Sequence, residues 1–359
     1  AGKQYQPSDK SNFGLFLDSA PDRWGRTLMR RREAIDARLQ DRKPRTLTEA
    51  DYLMGVYDGN RMGALRFKFS KEGDFMDNDR SLATPPWASI RELEHASLQI
   101  EREDNAGTPE HTRWIDMLVA PGSSLGGARP KANVVDENGR LWIVKFPSAG
   151  DTKDSGAWEM VTAEMARSCG IEMSECRVQR FGSRHHSFMT ERFDRTDTGR
   201  RIHFASAMTL LGYTDGASHT EGASYLELAE WIIANCDDTD RNLEQLWRRI
   251  VFNIAVSNCD DHLRNHGFLL TPQGWHLSPA YDMNPDEYGT GLKLNISEND
   301  NSLDFDLAMS ITPYFGLEPA RAETILAEVK RAVSGWRKLA TKYNISKSGQ
   351  DAIEMAFRC

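Results

Sequence analysis

The segment from residue 250 to residue 285 constrains the fold more than any other part of this 359-residue sequence. It begins with an apolar helical pattern that breaks at Ser257-Asn258 into a polar loop. Two short apolar runs follow, at residues 267–270 and 275–277, and a turn with Pro and Gly separates them. A further carboxylate, Asp282, comes next. The pattern therefore predicts one β-hairpin flanked by two loops that carry acids.

The spacing of three side chains in this segment predicts phosphoryl transfer. Asp260 and Asn265 are five residues apart, the interval in a protein-kinase catalytic loop, where the Asp accepts the hydroxyl proton and the Asn holds a metal. Asp282 follows the hairpin, where a kinase carries its second metal-binding acid. Three oxygen-bearing side chains suit Mg²⁺. Residues 235–242 nearly repeat residues 258–265, but they join two helical patterns, so Asp237 or Asp238 is predicted to be a helix N-cap.

Composition excludes several classes of protein. The net charge of −8 argues against nucleic-acid binding through the overall field of the protein. No apolar run approaches the roughly 20 residues of a membrane span, and the polar start lacks the pattern of a signal peptide. The five cysteines form no CxxC pair, which predicts reduced thiols and a cytoplasmic location.

The order of elements predicts three regions. Residues 1–105 are expected to form an N-terminal subdomain, with a helix at 21–40 capped by Ser19 and a strand at 61–69. Residues 106–192 are expected to form a strand-rich ATP-binding lobe, in which an Asn-Gly turn joins strands at 131–135 and 140–146. Residues 193–359 are expected to form a mostly helical catalytic lobe. The predicted class is α+β, a bilobal protein-kinase-like fold.

Two features of the strand-rich region suit a nucleotide. Lys145, flanked by apolar residues on a strand, resembles the lysine of the kinase VAIK strand, and the alternative is an edge-strand lysine in water. Glu159 and Glu164 on the next helix are both candidate partners for it. The loop at residues 121–131 is rich in Gly and Ser and can offer amides to phosphate, although it matches neither the P-loop nor the kinase glycine-loop signature.

Taken together, these motifs resemble the HipA family, the serine/threonine kinase toxins of bacterial toxin–antitoxin modules. The resemblance covers nearly the whole chain. Its most specific segments are Asn258 to Asn265 and Leu277-Ser-Pro-Ala-Tyr-Asp282. The motifs DSAPDRWGR from Asp18, GARPK from Gly127 and TERFDR from Thr190 support it, together with Leu294-Asn295-Ile296.

The resemblance implies a role for each matching residue. Asp260 would be the catalytic base, and Asn265 and Asp282 would bind Mg²⁺. The implied ATP-binding residues are Lys145 for the phosphates, Glu191 and Phe193 for the adenine, and Gly126, Gly127 and Lys131 in the phosphate loop. Ser124, or Ser123 in the neighbouring register, would be an inhibitory autophosphorylation site, because a phosphate there would either repel the phosphates of ATP or eject the loop.

The resemblance also implies partners. The substrate would be a protein of the translation machinery, such as an aminoacyl-tRNA synthetase, and the regulator a HipB-like DNA-binding antitoxin, through which alone the chain would meet DNA. Family members usually carry strands before the motif that here begins at Asp18, so the N-terminal subdomain is expected to be short or trimmed. The alternative functions are a lipid or small-molecule kinase with a related catalytic loop, and a catalytically weak kinase-like binding module.

Overall fold

The computed structural model describes residues 14–76, 78, 84–102, 108–119 and 127–359. These residues divide into two compact units, and the chain passes between them more than once. Unit 1 contains the described residues up to Thr152 together with Arg177–Phe204. Unit 2 contains Lys153–Cys176 and Ala205–Cys359.

Unit 1 combines helices with a four-stranded antiparallel sheet. Its helices are α1 (Gly14–Ser19), α2 (Arg23–Leu39), α3 (Glu49–Met54), α4 (Ile90–Glu101) and α5 (Pro109–Val119). Strands β1 (Lys131–Val135), β2 (Leu141–Lys145), β3 (Cys176–Gln179) and β4 (Ser187–Glu191) lie in the order β1-β2-β4-β3. The predicted hairpin is confirmed, since β1 and β2 pair antiparallel across the Asn-Gly turn. The core of unit 1 is formed by Leu28, Leu93, Ile115, Trp142 and Val144, among others.

Two local predictions in unit 1 were wrong. The side chain that caps α2 is Asp22, which accepts a hydrogen bond from the Gly25 amide at 2.7 Å, whereas Ser19 ends the separate helix α1. Residues 61–69, all within the described part of the chain, form no strand. Gly63 has a φ of 72° and donates its amide to Asp194, so the backbone turns there instead of continuing extended.

Unit 2 is mostly helical and is built around one buried helix. Its elements are α6 (Ser155–Ser168), α7 (Ala207–Leu211), α8 (Tyr225–Asn235), α9 (Thr239–Val256), β6 (Gly267–Thr271), β7 (Gly274–Leu277), α10 (Phe305–Ser310), α11 (Pro319–Ser334), α12 (Trp336–Lys342) and α13 (Lys347–Ile353). Strand β5 (His203–Ser206) leads into this unit and forms a sheet in the order β5-β6-β7. Helix α9 packs against α8, α10, α11 and β7, which places its last turn inside the unit.

The hairpin predicted after α9 is confirmed as β6 and β7, which pair antiparallel from Phe268 opposite Leu277 to Thr271 opposite Gly274. Helices and antiparallel sheets occur together, as the predicted α+β class requires. Among the described residues, no helix is long and apolar enough to cross a membrane.

Candidate functional site

The loop that carries Asp260 begins where α9 ends. Ser257 closes the helix in the left-handed conformation, with a φ of 49°. The next amide, that of Asn258, reaches back to the Asn253 carbonyl at 2.8 Å. This backbone reversal turns the chain sharply out of the helix, so the following acids lie just beyond a rigid, buried element.

Asp261 is the structural acid of the loop. The residue is 3% exposed. One carboxylate oxygen, Oδ2, accepts from the Tyr225 hydroxyl at 2.7 Å, from the Asn253 side-chain amide at 2.7 Å and from the His266 Nε2 at 2.8 Å. Burial raises the pKa of Asp261, but the interactions with His266 and Tyr225 outweigh burial and lower that pKa overall. The buried Asp261 carboxylate therefore attaches the loop to Tyr225, Asn253 and His266 and fixes the loop backbone.

Asp260, by contrast, presents its side chain to solvent. Its carbonyl oxygen accepts the His262 amide at 2.9 Å and the Asn265 side-chain amide at 3.1 Å. The backbone at Asp260 is therefore fixed while its carboxylate is exposed. An acid on a fixed backbone with an accessible carboxylate has the geometry that a general base needs.

Asn265 is buried at the end of a short 3-10 turn, Leu263–Asn265. Because its amide nitrogen donates to the Asp260 carbonyl, the carbonyl oxygen of the same side chain is the end that could bind a metal. The second acid, Asp282, adopts a φ of 58°, and its Oδ1 lies 3.4 Å from the side-chain amide of Asn284.

Two backbone contacts join the Asp260 loop to the Asp282 segment. The Asp286 amide donates to the Ser257 carbonyl at 3.1 Å, and the Asn284 amide donates to the Asn258 side-chain oxygen at 3.2 Å. Both loops are thus held on the same end of α9.

A buried arginine, Arg249, holds the backbone at Ser278, shortly before Asp282. The Arg249 guanidinium donates to the Ser278 carbonyl at 2.5 Å. Burial lowers the pKa of Arg249 to about 10, although the charge of Asp261 opposes that shift. A guanidinium remains protonated at neutral pH with such a pKa, so Arg249 stays a donor at the base of the site.

The chemistry of these side chains fits Mg²⁺ better than a transition metal. Among the described residues, no group of three or more His, Cys, Asp or Glu side chains could hold a metal ion. Magnesium is usually bound through one or two protein oxygens with water and substrate phosphates completing its shell. An Asn oxygen and an Asp carboxylate, the pair predicted here, match that pattern.

The near-repeat at residues 235–242 lies at the other end of α9. Asp238 occupies the N-cap position of α9, as predicted, but it makes no side-chain cap bond. Asp237 pairs with His276 at 2.9 Å. Since α9 has 18 residues, it separates these acids from the Asp260 loop by about 27 Å at 1.5 Å per residue.

The described residues that were predicted to contact ATP phosphates lie in unit 1. Lys145 is the last residue of β2, opposite Lys131 of β1, and its Nζ is 5.9 Å from the centre of the Phe188 ring. The Lys131 ammonium is buried and lies 2.8 Å from Asp22. Gly127 has a φ of 97°, and a Cβ there would come within 3.2 Å of that ammonium. The predicted Gly126, Ser123 and Ser124 lie outside the described residues.

The residues predicted to meet the adenine stand at the end of β4. Glu191 accepts from Arg140 at 3.0 Å. Phe193 is partly exposed and lies 6.0 Å from the Phe204 ring. On α6 of unit 2, Glu164 is bonded to Lys342 at 2.6 Å and to the Tyr343 hydroxyl, while Glu159 is buried. Glu164 is therefore engaged within unit 2, and a pairing of Lys145 with either glutamate stays a prediction.

Sequence reasoning did not find the residues that support the Asp260 loop. Tyr225 and Asn253 are ordinary residues of helical patterns, and their contact with Asp261 appears only in three dimensions. The one available signal was the acid pair itself. Either acid of a pair that directly follows an apolar helix is a candidate for burial where hydrogen-bond donors surround it.

Comparison with known proteins gives one family. The model of the HipA-like C-terminal domain matches residues 123–336. The chain is 25% identical over 192 residues to a serine/threonine-protein kinase toxin HipA of Shewanella oneidensis, which covers 45% of this chain and 43% of that protein. It is 26% identical over 199 residues to the toxin YjjJ of Escherichia coli, with 53% and 44% covered. The chain spans about half the length of these curated relatives.

A solved structure shows the fold. The HipA chain in a complex of HipA, HipB and operator DNA from Shewanella oneidensis aligns with a TM-score of 0.64 at 17% identity. The alignment covers 96% of this chain and 83% of that one. The predicted kinase-like α+β fold is therefore confirmed.

Proposed function

Because this chain belongs to the family of proteins with a HipA-like C-terminal domain, we propose that it is an ATP- and Mg²⁺-dependent serine/threonine protein kinase. The observation that carries the proposal is the contrast between two adjacent acids. Asp261 is buried beneath the loop with three hydrogen bonds, and Asp260 presents its carboxylate to solvent. A kinase needs an exposed base on a backbone that does not move, since its catalysis is mainly positioning and charge neutralisation.

In this proposal Asp260 accepts the proton of the substrate hydroxyl as that oxygen attacks the γ-phosphoryl group. Asn265 and Asp282 hold Mg²⁺, which when bound neutralises the charge on the phosphates. Tyr225, Asn253 and His266 act through Asp261 and keep the loop in place.

The proposed nucleotide ligands follow the family motifs. Lys145 binds the phosphates, and Gly126 and Gly127 offer backbone amides to them. Lys131 contributes to the same loop while its ammonium is paired with Asp22. Glu191 and Phe193 meet the adenine, the ring of Phe193 through stacking or edge contact.

We propose further that the substrate is a protein of the translation machinery, such as an aminoacyl-tRNA synthetase, and that a HipB-like DNA-binding antitoxin is the regulator. The support is family membership and the likeness to a HipA that was solved with HipB and operator DNA. Autophosphorylation at Ser124, or at Ser123, is proposed as the inhibitory modification.

The test uses the two similar acid motifs as a matched pair. Asp260→Asn removes the base and keeps the side-chain shape, so transfer of labelled phosphate from ATP should fall by about 10² to 10⁴, the contribution of a general base. Asp238→Asn alters an acid of the near-repeat, exposed at the far end of α9, and should transfer phosphate at the wild-type rate.

Two results would contradict the proposal. One is equal transfer by the Asp260 and Asp238 variants. The other is the absence of transfer by the wild-type chain to itself and to a total protein extract. Transfer by the wild type to lipids or metabolites alone would replace a protein substrate with a small molecule.

A further inference from the structure

The segment that follows α13 is anchored by aromatic packing in unit 2. Phe357 stacks on Trp336 with ring centres 4.4 Å apart and an interplanar angle of 17°, and its ring centre lies 5.9 Å from that of Trp158. Ile353 and Ala356, just before it, are fully buried. Rings that overlap in this way hold a short segment in one position, so the residue that follows Phe357 has a defined place.

The backbone of Arg358 forms a hydrogen bond with the last turn of α9. Its backbone amide donates to the Ala255 carbonyl at 2.7 Å. In a continuous helix that carbonyl would accept from residue 259, but the Cys259 amide bonds to the Ser257 carbonyl instead. The amide of Arg358 therefore satisfies a carbonyl that the sharp turn of the chain would leave without its helical partner.

The side chain of Arg358 contacts Ser257, the residue that ends α9. Its Nε donates to the Ser257 hydroxyl at 3.0 Å. Ser257 is fully buried and has a φ of 49°, a conformation that glycine usually supplies at a helix end because a Cβ is strained there. A serine at this position is explained by its hydroxyl, which accepts the guanidinium, while its carbonyl accepts the Asp286 amide.

We propose that Arg358 is a positioning residue for the catalytic loop. It acts through Ser257, the residue from which the loop with Asp260 and Asn265 departs and to which the segment after Asp282 is bonded. The inference rests on the proposed function for its effect on turnover, but its effect on the loop is independent of any activity. Nothing in the sequence pattern placed residue 358 next to residue 257.

The first test is kinetic. Arg358→Ala should lower kcat about three- to tenfold, the factor that the net loss of a hydrogen bond produces, while the KM for ATP stays within about twofold, because Arg358 is not proposed to contact the nucleotide. The matched control is Arg331→Ala. Arg331 is an exposed arginine in the last turn of α11, and its removal should leave kcat unchanged.

A double-mutant cycle isolates the bond. Ser257→Ala keeps the strained backbone and removes the hydroxyl. In that background Arg358→Ala should lower kcat by less than about twofold if the two side chains act together. Fully multiplicative effects of the two substitutions would overturn the role of the Arg358–Ser257 contact.

The second test does not depend on catalysis. Amide hydrogen exchange of residues 258–265 should be about three- to tenfold faster in Arg358→Ala than in the wild type and in Arg331→Ala. Equal exchange in the three proteins would overturn the inference even if the wild type is an active kinase. Faster exchange in Arg358→Ala alone would support it even if no phosphate transfer is found, in which case only the proposed function fails.

Discussion

Asp260 and Asp261 are adjacent acids in different environments, since Asp260 is exposed and Asp261 is buried. Hydrogen bonds to Asp261 favour its charged form and lower its pKa against the effect of burial. This acid is therefore an anion at neutral pH, and it orients the His266 ring through Nε2. Asp260 differs because it is exposed to solvent, which its proposed role as a base requires. Its place in the loop depends on contacts made by the residue next to it.

Asp282 is the residue at which the metal proposal can be tested. Asp282→Asn keeps the side-chain shape and tolerates the left-handed backbone, but it replaces a carboxylate with a neutral ligand. We expect the Mg²⁺ concentration for half-maximal phosphate transfer to rise by at least about tenfold, since loss of one charge-assisted contact to a metal costs 1.4 kcal/mol or more.

The measurement is a Mg²⁺ titration of transfer at fixed ATP, with Asp238→Asn as the control that keeps the wild-type dependence. Excess chelator should abolish transfer in every variant. An unchanged Mg²⁺ dependence in Asp282→Asn would remove this residue from the metal site.

At the scale of elements, the segment after β4 is fixed by a buried charge cluster. Asp194 is fully buried and accepts from Arg192 at 2.9 and 2.7 Å, from Arg195 at 2.6 Å and from the Gly63 amide at 2.7 Å. Arg192 also donates to the Asn60 carbonyl at 2.6 Å. The cluster joins the chain around residues 60–63 to the end of the sheet, where Glu191 and Phe193 lie.

Asp194→Asn should strongly destabilise unit 1. The change leaves two arginines without their carboxylate, and breaking a buried ion pair costs about 3–5 kcal/mol. Urea denaturation followed by tryptophan fluorescence measures the loss. The control is Asp197→Asn, an exposed acid of the same segment, which should change the free energy of unfolding by less than about 0.5 kcal/mol. Similar losses in the two variants would contradict this role.

The same cluster sets a pH dependence. Burial raises the pKa of Asp194, but the charges of Arg192 and Arg195 outweigh burial and lower that pKa below its usual value. The folded-state pKa is therefore below the unfolded one. The stabilisation from Asp194 is fully present above the unfolded value of about 3.9 and is lost as the pH falls through the folded value.

Local sequence signals identified some elements and not others. The hairpin of β6 and β7 was predictable because a turn signal separates two short apolar runs, and the turn fixes the pairing. The start of α2 was misplaced because Ser19 and Asp22 are both good caps, and only the pairing of Asp22 with Lys131 selects the second. A strand was wrongly predicted at residues 61–69, because the turn at Gly63 is bonded to Asp194, which lies 131 residues further along the chain.

The same contrast between local signals and distant contacts separates the predicted site residues from the residues that support them. The prediction of Asp260, Asn265 and Asp282 as site residues rests on their spacing in the sequence. Arg358, by contrast, meets Ser257 across 101 residues of sequence. Such contacts form when elements that are distant in sequence pack together, and the pattern of one sequence does not show which elements will pack.

At the scale of the whole molecule, the chain visits each unit more than once. Lys153–Cys176, which contains α6, belongs to unit 2, although residues before and after it belong to unit 1. Helix α6 packs against α11 and α12. Its buried face includes Trp158, whose ring centre lies 5.9 Å from that of Trp336, together with Val161 and Met165. Unit 2 is therefore not a continuous stretch of sequence.

A fragment of residues 205–359 should accordingly fail to fold alone. Each large apolar side chain of α6 contributes about 1.5–3 kcal/mol by burial, so the loss of several of them removes most of a typical stability of 5–15 kcal/mol. Co-expression with a peptide of residues 153–176 should restore a cooperative thermal transition, while a scrambled peptide of the same composition should not. The measurement is circular dichroism on heating. A cooperative transition in the isolated fragment would show that α11, α12 and the aromatic cluster around Trp336 hold unit 2 together without α6.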